Sequence, residues 1–290
     1  MPWGSFPSRF YGESGAATGL QMLGTYFLFK GVDIYELMQK ADAIIAAGFP
    51  GILFASFQGM FAVISPAIIS GAFTDRLRLF PFKLFACLWI VLVYAPLGYW
   101  KWGGGWTFVL GAWDFAGGIV VHETAGFAAL GAVLFLGNRV VLEGQHYHHV
   151  KKPHNLPMVA LGTGLLWIRW IGFNSGSALV VGGLAGMAFT NTLLCPAASM
   201  TGWMFLERIV TGKATLLGCC SGILAGLVVI TPSAGYVQVG LSIPMGFIAC
   251  LVCYSAVKAV KSLELDDAVD AFAINGLGVL CGTIMVGIFS

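Results

Sequence analysis

Residues 114–126 read DFAGGIVVHETAG, a run in which two costly side chains enter an apolar stretch. Asp114 follows the glycine-rich segment WGGGW at 102–106 and suits a helix N-cap, where a carboxylate accepts hydrogen bonds from free backbone N–H groups. His122 lies about 12 Å further along a helix that rises roughly 1.5 Å per residue. In a hydrocarbon layer about 30 Å thick, that depth is close to the midplane. An ionisable side chain there is costly, and its default reading is a functional position. A second stretch answers it. Asp267 opens DAVDAFAIN, and Asn275 stands at the same spacing from it.

Composition says what kind of molecule carries these stretches. The 290 residues are 58% hydrophobic and 10% charged, with a mean hydropathy of +0.86. Soluble domains carry about 25% charged residues, so this is an integral membrane protein with several spans. The net charge of +2 comes with no basic run, which argues against a nucleic-acid partner. The seven cysteines sit in or beside apolar runs and read as small buried hydrophobes, not as disulfides or metal ligands. His146, His148, His149 and His154 fall in one polar connection without rigid ligand spacing, so no metal is expected. No cofactor is called for. Residues 2–15 lack the apolar centre of a cleavable signal.

Residues 1–15 read as a loop, and 16–31 are apolar but short, leaving crossing and non-crossing equally open. Eight spans follow, near 42–74, 80–100, 115–137, 156–174, 181–206, 214–231, 236–257 and 267–289. Pro66, Pro96 and Pro196 lie inside spans and predict local kinks. Arg76, Arg78, Lys83, Arg139, Lys151, Lys152, Arg208, Lys213, Lys258 and Lys261 fall in four alternate connections, which the positive-inside rule makes cytoplasmic. The opposite connections carry only Lys101. The helix of Asp114 therefore starts at the outer face and that of Asp267 at the inner face. Equal spacing in opposite directions is what an inverted repeat with a midplane site produces. Gly218, Gly222 and Gly226, and likewise Gly182, Gly183 and Gly186, read as ridges for close helix packing. Asp266, Asp267 and Asp270 read as an acidic cluster favoured by a helix N-terminus.

Several stretches together resemble the ammonium transporter family (Amt/Mep/Rh). They are FQGMFA at 57–62, WGGG at 102–105, DFAGGIVVH at 114–122, KPHNLPMV at 152–159, GFNSGS at 172–177, TLLGCCSGILAGLVVITPSAGYV at 215–237 and DDAVDAF at 266–272. The resemblance covers about 42–290, leaves 1–41 atypical, and makes the chain a single membrane domain. It lacks counterparts of the family's first one or two helices and its last. The implied fold is an all-α polytopic inverted-repeat bundle, here partial, in the cell membrane. The implied assembly is a homotrimer with one ammonium channel per protomer, open to a cytosolic regulatory protein. The implied activity is transport, not enzymatic catalysis.

The resemblance also implies roles. Trp102 and Ser177 form an outer ammonium site that Asp114 holds together, Phe61 and Phe173 stack as a gate, and His122 lines the pore. Taken singly, Trp102 reads as an interfacial belt residue and the phenylalanines as ordinary packing. The chemistry fits independently. A Trp face attracts a cation by roughly 0.5–2 kcal/mol, a serine hydroxyl accepts an N–H, and an apolar constriction rejects charge but passes neutral ammonia. Two positions depart from the family. Asn275 stands where a second pore histidine is expected and cannot relay a proton. Arg169, one turn before Phe173, snorkels, pairs with a carboxylate such as Glu123, or blocks the pore. Both departures suit a non-transporting sensor, or a truncated inactive homologue, as alternatives to a transporter. Glu123 beside His122 makes no acid–base pair, because adjacent helical residues point about 100° apart.

Overall fold

Helices of the expected length begin at once where the described residues begin. The computed structural model describes residues 51–138 and 153–290. Helix α1 spans Gly51–Phe73. Helices α2 (Leu79–Trp89) and α3 (Ala95–Trp102) run on through a π-helical turn at Ile90–Tyr94, with Pro96 just after it, and a short α4 follows at Trp106–Val109. A second π turn, Gly118–Glu123, leads into α5 (Thr124–Leu136). Then come α6 (Leu156–Gly176), α7 (Gly183–Thr211), α8 (Leu216–Ile230) and α9 (Ser242–Ser262). A third π turn, Phe272–Gly278, opens α10 (Val279–Phe289). The apolar stretch 16–31, the cations Arg139, Lys151 and Lys152, and His146, His148 and His149 lie outside the described residues.

Six segments among the described residues are long and apolar enough to cross a membrane: Leu53–Phe73, Leu79–Val109, Gly118–Leu136, Leu156–Gly176, Val239–Ser262 and Phe272–Phe289. The remaining two expected spans take other forms. Helix α7 is long enough but carries Asn191, Thr192 and Ser199, all fully buried. Helix α8 has 15 residues and continues as a run of almost wholly buried turns to Val237. The last span begins at Phe272, not at 267, because 267–270 form a turn with Asp270 in the left-handed region at φ 54. The chain is thus a multi-pass membrane protein.

The ends of the described helices fall into two groups. On one side, the Arg76 guanidinium donates to the carbonyls of Ala72, Gly137 and Asp266, tying α1, the end of α5 and the 263–270 connection together. On the other, the Phe115 N–H donates to Pro232 O at 2.9 Å, and the rings of Trp113 and Tyr236 lie 5.0 Å apart.

Among the described residues two larger cores, one among α1, α2 and the Gly118–Glu123 turn and the other mostly among α6 to α10, share Phe173, and a smaller cluster of Ala72, Ala129, Val133 and Ala271 joins α1 and α5 to the start of the last span. The halves interlock reciprocally. Helix α5 packs on the Phe272–Gly278 turn, and α10 packs on the Gly118–Glu123 turn. They approach backbone to backbone at Gly126, where a Cβ would meet the Gly276 nitrogen at 2.2 Å. Gly222 and Gly226 likewise admit the backbone of α7, whereas Gly218 faces the Glu207 carboxylate. Gly182, Gly183 and Gly186, expected to form a second packing ridge, meet no other described residue within 4 Å of where a Cβ would stand.

Candidate functional site

Asp114 does more than cap one N–H. Its Oδ1 accepts from Gly117 (2.9 Å) and Gly118 (2.6 Å), and its Oδ2 from Ile119 (2.8 Å) and Val120 (3.2 Å). Gly117, at φ 89, makes that wrap feasible, because L side chains rarely adopt such a conformation. A Cβ there would also press on Phe61 and Trp102 at 3.3 Å. Burial pushes the Asp114 carboxyl up, while the Lys101 charge and the backbone donors pull it down. Asp267 repeats the device at the inner end, accepting from Ala271 (2.9 Å), Phe272 (2.8 Å) and Ala273 (3.4 Å).

Each carboxylate thus anchors a π turn, and each turn carries one polar residue of the site. Such widened turns leave the regular helical ladder and are frequent at functional positions. His122 projects from the first and Asn275 from the second, and His122 Nδ1 lies 3.0 Å from Asn275 Oδ1. The imidazole is 2% exposed and lies nearly parallel to the indole of Trp170, centroids 4.8 Å apart at 11°. Trp170 Nε1 donates to Thr231 Oγ1 at 2.8 Å, and that hydroxyl donates to Leu227 O at 2.7 Å. His122 Nε2 is buried without a partner among the described residues. With Nδ1–H donating to the Asn275 carbonyl oxygen, Nε2 is a lone-pair acceptor. The opposite amide orientation would orphan a buried N–H, the rarer defect.

Towards the outer side, His122 meets the edge of Phe173 at 6.2 Å. Phe173 stacks on Phe61 at 4.1 Å and 23°, and Phe61 stands edge-on to Trp102 at 5.7 Å and 89°. Trp102 Nε1 donates to the Asp114 carbonyl at 3.3 Å. Ser177, 4% exposed, donates its hydroxyl proton to Phe173 O at 2.9 Å and keeps its oxygen lone pairs as acceptors. Trp102, Asp114, Phe61, Phe173, His122 and Asn275 therefore form one connected string from the outer end to the middle of the bundle, and Ser177 joins it only through its bond to the Phe173 carbonyl.

Arg169 is not part of it. Its side chain is exposed on α6 while the next residue, Trp170, is buried against His122, and no ion pair joins it to Glu123. Trp170, Thr231 and Lys101 are the site neighbours that motif reading passes over. Trp170 had a signal, one turn before Phe173 on the same helix face. Thr231 had none. No group of three or more His, Cys, Asp or Glu side chains among the described residues is arranged to hold a metal.

Two antiparallel helices that meet through polar side chains at mid-depth, roofed by a stacked aromatic pair, define a polytopic membrane protein with an inverted-repeat arrangement. A family model, the Ammonium Transporter Family, matches residues 17–290, and the chain belongs to that family. An ammonium transporter of Bacillus subtilis is 47% identical over 242 residues, covering 83% of this chain and 58% of its own length. The crystal structure of Saccharomyces cerevisiae Mep2 superposes with a TM-score of 0.81 at 38% identity, over 91% of this chain and 59% of that one. A solved protein titled Sensor Amt Protein matches with a TM-score of 0.73 at 31% identity, over 80% of this chain and 60% of its own. The chain spans little more than half the length of these relatives.

Proposed function

We propose that the chain carries ammonium nitrogen across the cell membrane, recruiting the cation outside and passing it inward as ammonia. The observation that carries this reading is the buried, unpartnered His122 Nε2 beneath the Phe61–Phe173 stack. In it, the Trp102 face and the Ser177 oxygen receive the cation at the outer end, with the Asp114 charge favouring cations there. Beyond the stacked rings a full charge is strongly penalised, so the cation releases its proton to outer water and only ammonia enters. His122 Nε2 then accepts an N–H from the ammonia. Asn275 holds the imidazole in that tautomer but takes up no proton itself.

The same reading treats the chain as one membrane domain that assembles as a homotrimer with a pore in each copy and offers its inner loops to a cytosolic regulator. Native mass spectrometry of the detergent-solubilised chain tests the assembly. Methylammonium uptake by cells lacking their own carriers tests the transport. Uptake is expected with the wild type and lost with His122→Leu at equal membrane abundance. A second reading, ammonium sensing without transport, is favoured by Asn275 and by the likeness to the sensor protein. Ammonium binding without uptake would select it.

A further inference from the structure

Lys101 sits where a cation is least expected. It is the last-turn residue of α3 and the chain neighbour of Trp102, yet it is 6% exposed. A lysine at a helix C-terminus is ordinarily explained by the helix dipole, but such lysines keep their ammonium in water. A buried ammonium needs an opposite charge or several acceptors. Here Nζ donates to the Ala112 carbonyl. The carboxylate beside that connection is Asp114, two residues beyond Ala112 and bonded through its carbonyl to Trp102 Nε1, but both Asp114 carboxylate oxygens are already taken by backbone N–H groups, and no contact ion pair forms between the two. Lys101 is therefore a tethered ammonium placed inside the field of Asp114, beside the indole that closes the outer end of the string.

We propose that Lys101 is a built-in competitor of the outer cation site, its charge offsetting part of the Asp114 field and setting a low affinity for ammonium. The inference rests on reading Trp102 and Ser177 as that site. A unit charge about 10 Å away, at an effective dielectric of about 20, alters cation affinity by roughly tenfold. The bland alternative is a clasp: Lys101 merely pins the 103–113 connection through Ala112. Charge and clasp separate by substitution. Lys101→Gln keeps a donor for the Ala112 carbonyl without the charge, Lys101→Met removes both, and Lys101→Arg keeps both.

The test is equilibrium binding of radiolabelled methylammonium to the purified full chain in lipid nanodiscs, with thermal melting to verify folding. The expected result is about tenfold tighter binding by Lys101→Gln, wild-type affinity in Lys101→Arg, and a gap that narrows as salt is raised. Lys101→Met serves in place of Lys101→Gln should the latter fail to fold. Equal or weaker binding by every folded neutral variant, with the wild type binding, overturns the role of the lysine alone. No binding by wild type or variants at any concentration overturns the cation site and this inference with it.

Discussion

At His122 two neighbours set the imidazole's geometry and leave one ring nitrogen over. Asn275 accepts from Nδ1, Trp170 fixes the ring plane, and Nε2 is left to face whatever enters. Trp170 acts on the imidazole only through its face, so its substitutions separate stacking from hydrogen bonding. Trp170→Phe keeps an aromatic face and loses the bond to Thr231, and should cost about 1 kcal/mol of stability with near-normal methylammonium uptake. Trp170→Leu removes the face as well and should lower uptake several-fold at equal membrane abundance. Equal uptake by the two variants would show that the stack does not position His122. Asp270, at the inner mouth, gives a pH signature. Burial, reinforced by the Asp267 charge, pushes its carboxyl up from 3.8 to about 6 despite Lys261 Nζ at 3.6 Å. A raised carboxyl favours the fold below pH 4 and loses that contribution as pH climbs through 6. Asp270→Asn should therefore melt higher than wild type at pH 8, by an equivalent of about 1–3 kcal/mol, and show no gain near pH 4.

Among the elements, the two opposed helices that carry His122 and Asn275 are held by contact rather than by propensity. A Cβ on Gly126 would lie 2.2 Å from the Gly276 nitrogen, a clash with backbone that no side-chain adjustment relieves. Gly126→Val should abolish monodisperse elution in size-exclusion chromatography. Gly131→Ala, one residue beyond the next turn of α5 and with no other described residue within 4 Å of where its Cβ would stand, should be tolerated or stabilising by about 0.5–1 kcal/mol. That contrast explains what the sequence could and could not reveal. The spacing Asp114 to His122 and Asp267 to Asn275 exposed the opposed helices, because carboxylates and polar side chains in apolar runs are conspicuous. Phe61, Phe173, Trp102 and Ser177 came only with their motifs, since an aromatic ring in a membrane span is ordinary. The π turns, the shortened α8 and the open glycines at 182, 183 and 186 were not legible, because they depend on how neighbouring helices cross. The same holds for Thr231, which reaches the site only because α6 and α8 pack together.

On the scale of the whole molecule, the side-chain hydrogen bond from His122 to Asn275 joins polar residues of the two halves at mid-depth. The Arg76 clamp at the inner end and the Phe115–Pro232 bond at the outer end hold those halves in register around it. Because an amide does not take up a proton near neutral pH, this contact ends any chain of titratable groups at His122. A molecule built so should move ammonia and leave the proton outside, making uptake electrically silent. Asn275→His supplies a second titratable ring at the same spot, and with His122 it forms a pair able to hand a proton from one half to the other. Proteoliposomes on a solid-supported membrane, challenged with an ammonium jump, measure the difference directly. The wild type is expected to alkalinise the liposome interior without a transient current, and Asn275→His to produce a current that grows with the ammonium gradient. A wild-type current as large as that of the variant would mean that the ion itself passes Phe61 and Phe173 with its charge. The apolar constriction would then not be the barrier its stacked rings imply.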